Sequence, residues 1–190
     1  MKMENVSDFI SECHAENADS KRILFFRGEN AKHDTIIPSI YRPQNSYIEN
    51  EDKIYKEIIS KFPDEMLQQK TTVEKLILMQ HFELPTRLLD ISKNPLVALF
   101  FACYGNPDKD GRVYIFSIPE DEIKYCDSDT VSVIANICKR PFTFSIAGTE
   151  ILNRTEFNEN DDILYLLHEI KEEKPYFQNL VQGEHINSTI

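Results

Sequence analysis

No polar side chain interrupts the segment that follows Asn94 and Pro95: Leu-Val-Ala-Leu-Phe-Phe-Ala-Cys, ending at Cys103. Asn94 is a candidate N-cap, and Pro at the first helical position sacrifices nothing because that N–H has no partner within the helix. A helix that is apolar on every side belongs in a core. The run therefore predicts a central buried helix, a brace for whatever site the chain builds and not a cofactor box.

Two β-prone runs flank this helix in sequence. Arg-Ile-Leu-Phe-Phe-Arg, residues 22–27, is halted by Gly28, and Arg112-Val-Tyr-Ile-Phe-Ser-Ile118 is closed by Pro119. Arg27 is accordingly expected at a strand end. Residues 28–50, with Pro38, Pro43 and several Asn and Ser, read as a long irregular connection with a short extended piece at Ile36 and Ile37. Apolar residues at helical spacing predict helices from Val6 to an end near Asn17 to Ser20, over Lys53 to Phe62 (ended by Pro63), Thr72 to Phe82, Val131 to Cys138 and Asp161 to Lys171. A short apolar tail follows at Tyr176 to Val181. These elements give an α+β class, a small mixed or antiparallel sheet packed by helices. No repeat and no linker divides the chain, so residues 1–190 are expected to form a single domain.

Composition narrows the function classes. A formal charge of −11 argues against sequence-independent binding to nucleic acid or anionic lipid across the whole surface, while leaving room for a local basic pocket. Cys13, Cys103, Cys126 and Cys138 lack metal-ligand spacing, and no apolar stretch reaches the roughly 18 residues of a membrane span. A cytoplasmic chain with free thiols, and no metal, is expected.

Two segments carry a resemblance. Phe26-Arg27-Gly28 and Gln80-His81-Phe-Glu-Leu-Pro-Thr-Arg-Leu-Leu-Asp90, continuing through Asn94 to Ala102, resemble the FRG-domain family, named for its Phe-Arg-Gly tripeptide. Pro38-Ser39 with Tyr41-Arg42 resembles the family's Pro-Ser-x-x-Arg element. Glu29 stands where Gln is common, and Ile91-Ser92 replaces Trp-Thr. The family's closing strand, bearing Arg-Ile, Gln and Gly-Phe, is not found, which suggests a C-terminally shortened member. The resemblance implies a fold similar to ADP-ribosyltransferases, NAD as cofactor, a macromolecular acceptor and a bacterial toxin or phage-defence setting. On that reading Arg27, Gly28 and Asp90 bind the cofactor, and His81 and Arg87 serve the chemistry.

The residues themselves leave alternatives open. Arg27 offers a planar, permanently charged fork for a phosphate or carboxylate, or else it pairs with an internal acid such as Asp90. Arg87, after Pro85, has the same two readings. His81 is either an acid or base near neutral pH or a structural residue near a helix end. Ribosyl transfer needs a carboxylate, for which Glu150 and Glu156 are the acids to consider. The alternative function is a non-enzymatic module that senses a nucleotide or holds an acidic partner segment.

Overall fold

The computed structural model describes residues 5–16, 20–31, 35–43, 46–105, 108–147, 152 and 154–178. The class is α+β, with helices and a two-stranded antiparallel sheet. The chain forms two compact units, each assembled from two stretches of sequence: Met1–Ile36 with Leu89–Ile123, and Ile37–Leu88 with Lys124–Ile190.

The first unit contains α1 (Val6–Glu16), β1 (Arg22–Glu29), α5 (Pro95–Cys103) and β2 (Arg112–Pro119). The strands pair from Arg22 opposite Pro119 to Glu29 opposite Arg112. β1 runs past Gly28, so Arg27 lies within the strand, opposite Tyr114, and not at its end. On one face Leu24 and Phe26 are buried with Phe9 and Cys13 of α1 and Ala98 of α5. Full burial of such a Leu or Phe side chain contributes about 1.5–3 kcal/mol. Beside β1, Phe26 and Ser92 exchange two backbone hydrogen bonds of 2.7 and 2.8 Å, which satisfy groups a bare edge would leave open.

Helix α5 forms where expected, capped by Asn94 Oδ1, which accepts from Leu96 N–H at 3.0 Å. Its burial does not follow expectation. Ala98 and Ala102 are buried, whereas Leu96, Val97, Phe100 (57% exposed) and Phe101 (54%) face outward. Backbone proximity accounts for the inversion. A Cβ added to Gly28 would lie 1.7 Å from the Ala98 carbonyl oxygen, and one added to Gly111 would lie 1.9 Å from that of Ala102. The helix is pressed so closely onto glycine backbone that methyl groups are all that fit between, and its bulky side chains are turned away.

The second unit contains α2 (Glu51–Lys61), α3 (Pro63–Leu67), α4 (Thr72–His81), α6 (Asp129–Asn136), α7 (Arg154–Glu159) and α8 (Asp161–Glu173). Pro63 does more than end α2: it sits at the first turn of α3, where its missing N–H is harmless. α4 opens with a capping box in which Thr71 and Glu74 satisfy each other's backbone N–H groups. Those bonds from Thr71 and Lys70 hold the Glu74 carboxyl below its usual range. One core gathers Tyr55, Ile58, Met66, Leu76, Met79, Ala135 and Cys138. Another joins Val133, Ile137 and Phe157 to Ile163, Leu166, Leu167 and Ile170 of α8. A buried polar link ties the helices: Thr72 Oγ1 donates to Asn136 Oδ1 at 3.0 Å, and Asn136 Nδ2 donates to Ser132 O at 2.8 Å and Glu173 Oε1 at 3.0 Å. Residues 179–181 of the expected apolar tail lie outside the described residues.

Candidate functional site

Arg27 belongs to the first unit. Its Nε donates to Glu29 Oε1 at 3.1 Å and its NH1 to the Asp90 main-chain carbonyl at 2.9 Å. Both partners follow from local structure. Residues two apart on a strand share a face, so Glu29 lies beside Arg27 on β1, and the Phe26–Ser92 bridge brings the chain after Asp90 alongside that strand. Asp90 thus serves Arg27 through its backbone, and its side chain is exposed. The remaining nitrogen, NH2, has no partner among the described residues.

A cavity of about 340 Å³ adjoins this guanidinium, lined by Arg27, Gly28, Asp90, Ser92, Val97 and Phe101 among others. Gly28 contributes bare backbone to the wall, but its missing side chain also answers to the approach of α5. Across the strands, the Arg112 guanidinium stands 5.7 Å from the centre of the Tyr114 ring. Glu29 Oε2 and the Tyr114 hydroxyl are buried without a partner among the described residues. Buried oxygens of this kind normally find a hydrogen bond to protein or water.

Arg87 and His81 belong to the second unit. The α4 helix ends in a Schellman motif: Leu84 N–H reaches Met79 O at 3.0 Å and Glu83 N–H reaches Gln80 O at 2.9 Å, with Glu83 left-handed at φ 60°. Pro85 then leads into Thr86, which is buried and donates its N–H to Ser39 Oγ at 3.1 Å. The Pro-Ser and Pro-Thr-Arg elements of the sequence therefore fold against each other. Arg87 Nε lies 2.8 and 2.7 Å from the two oxygens of Glu51, NH2 lies 2.5 Å from Oε2, and NH1 donates to the Tyr41 hydroxyl at 2.9 Å. Glu51 is only 5% exposed. Burial works against the charge of Arg87, yet the Glu51 carboxylate outweighs it and the pKa rises above the ordinary value. Nearby, burial and then the Glu51 charge push the Cys138 thiol up, which makes it a poor nucleophile.

His81 is exposed at the last position of α4, where a basic residue complements the helix dipole. Glu156 is exposed on α7, and Glu150 lies outside the described residues. The structure brings Arg27, Gly28 and Asp90 together around one cavity, and clamps Arg87 on a carboxylate absent from the expected set. Sequence reasoning missed Glu29, Glu51, Tyr41 and Tyr114. The two-residue period of a strand points to Glu29. No local signal links Glu51 to an arginine that lies 36 positions further on.

Among the described residues no group of His, Cys, Asp and Glu could hold a metal ion, and no helix is long and apolar enough to cross a membrane. No curated protein and no solved structure matches the chain. A family model does, over a span that contains both arginines, the Gly28 contact and the whole of α5. Residues 22–111 match the model described as the FRG domain, and over that span the chain is similar to this family.

Proposed function

We propose that this chain is a nucleotide-binding module in which Arg27 contacts an anionic group of the ligand. One observation carries the reading: the Arg27 guanidinium is oriented by Glu29 and the Asp90 carbonyl, and it stands at the wall of a cavity of about 340 Å³. A fork held in place by its own partners loses little freedom when a ligand arrives. Ligand cavities run from roughly 300 to 1,000 Å³, so this one encloses a portion of a dinucleotide such as NAD and leaves the rest outside. Arg87, engaged on three of its nitrogens by Glu51 and Tyr41, has few donors left to share.

A second reading, transfer of ADP-ribose from NAD to a macromolecular acceptor, is favoured by Glu29. Its Oε2 lies beside Arg27 with no partner among the described residues, and a carboxylate is what a developing ribosyl cation requires. A toxin or phage-defence role belongs to this reading, since it needs chemistry and not binding alone.

Thermal shift with NAD, ADP-ribose and ATP tests the first reading, because a ligand bound to the folded state raises the apparent Tm. A rise that disappears in Arg27→Ala is expected; a chain indifferent to all three nucleotides, or an unaltered rise in the variant, sinks it. For the second reading, mass spectrometry should find ADP-ribose on acceptor or protein after incubation with NAD, and none with Glu29→Gln.

A further inference from the structure

The first unit has another cavity, of about 600 Å³, whose lining includes His14, Ser20, Arg22 and Lys93 over an apolar floor of Ile10, Leu24, Phe26 and Pro95. Among the described lining residues no carboxylate appears. That is unusual in a chain of net charge −11, where acids outnumber bases and most surface repels anions. The local sign is reversed here, and one of the two full cations, Arg22, is held in position by hydrogen bonds. Arg22 Nε donates to Ser117 Oγ at 2.8 Å and its NH2 to the Ser117 carbonyl, while NH1 has no partner among the described residues. The Lys93 ammonium lies 5.7 Å from the centre of the Phe25 ring. His14 adds an imidazole at the same rim.

The geometry points to this cavity as a binding site for a small amphipathic anion, an anionic head on an apolar body. The Arg22 fork and the Lys93 point charge receive the head, and Ile10, Leu24, Phe26 and Pro95 receive the body. Its size falls in the middle of the range for small-molecule cavities, roughly 300–1,000 Å³. The cavity at Arg27 differs in kind, because there the single guanidinium is already partly neutralised by Glu29. The two cavities share Phe26 in their walls but take their cations from different residues, and neither proposal rests on the other.

Titration calorimetry of the whole chain with decanoate, decanol and acetate separates the contributions of head and body. Decanoate should bind about tenfold more tightly than decanol, the worth of one charge-assisted hydrogen bond, and more tightly than acetate by at least as much. Lys93→Glu alters an exposed side chain and should erase the preference for decanoate over decanol with an unchanged Tm. Phe100→Ser, on the outward face of α5, should leave decanoate binding unchanged. Equal affinity for decanoate and decanol, binding of acetate as tight as that of decanoate, no binding of any of the three, indifference to Lys93→Glu, or loss of binding in Phe100→Ser each overturns the assignment.

Discussion

Arg27 on β1 and Arg87 in the loop after α4 carry the same guanidinium, yet their surroundings commit it differently. Arg87 meets both oxygens of a buried carboxylate and a tyrosine hydroxyl, and its charge serves the fold. Arg27 gives one nitrogen to Glu29 and one to a carbonyl, and retains a donor beside a cavity. A motif arginine can recognise a ligand only with the donors that the protein has not already taken. The same contrast holds for the neighbours. Around Arg27 the tightest constraint is backbone against backbone, at Gly28 and Ala98, whereas around Arg87 it is charge against charge.

Four substitutions break or sharpen this contrast. Gly28→Ala should have the largest effect, because its Cβ would sit 1.7 Å from a backbone oxygen that cannot yield without moving α5. A loss of about 4 kcal/mol or more, or no cooperative urea transition at all, is expected; a near-normal midpoint would mean that the helix can step away from the strand. Glu51→Ala should cost about 3 kcal/mol by leaving a half-buried guanidinium unpaired. The same variant should speed labelling of the buried Cys138 thiol, and a cost under about 1 kcal/mol would place the Arg87 clamp among ordinary surface pairs.

Arg27→Ala should be milder, about 2 kcal/mol by denaturant midpoint, since it removes one carbonyl contact and leaves the Glu29 carboxylate, which protonation can neutralise, without its pair. If it destabilises as much as Glu51→Ala, the distinction between a structural and an available arginine fails. The smallest effect is a gain. Glu83 adopts a left-handed conformation at φ 60° in the motif that leads to Arg87, so Glu83→Gly should raise stability by about 1 kcal/mol. A fall in Tm instead would show that the Glu83 side chain makes a contribution larger than its backbone strain.

Much of the framework is legible in the sequence. The helices α1, α2, α4, α5, α6 and α8 and strand β2 lie within a few residues of where periodicity, caps and turn residues put them, and β1 forms as expected but continues through Gly28 to Glu29. The short α7 was not anticipated, because six residues with a single buried apolar side chain, Phe157, carry no periodic signal. The outward face of α5 was misread for a different reason. A helix without polar residues has no polar stripe to mark its solvent side, and here residue size decided which face is buried, through glycines on two other segments. In the candidate site, Arg27, Gly28 and Asp90, expected from the resemblance to bind a cofactor, line one cavity. The partner of Arg87 was out of reach, since ion pairing across distant segments leaves no pattern in either one.

By itself, then, the order of residues determined the element types, the α+β class and the likeness to a family over residues 22–111, because each depends on short-range regularities: strand alternation, helical spacing, capping side chains and contiguous motifs. Tertiary structure alone decided which arginine keeps a free donor, which face of α5 meets the sheet, and where basic side chains gather inside an acidic chain. Those outcomes depend on distances between groups far apart in sequence. Coulombic and steric interactions act through space, and only the folded chain sets that separation.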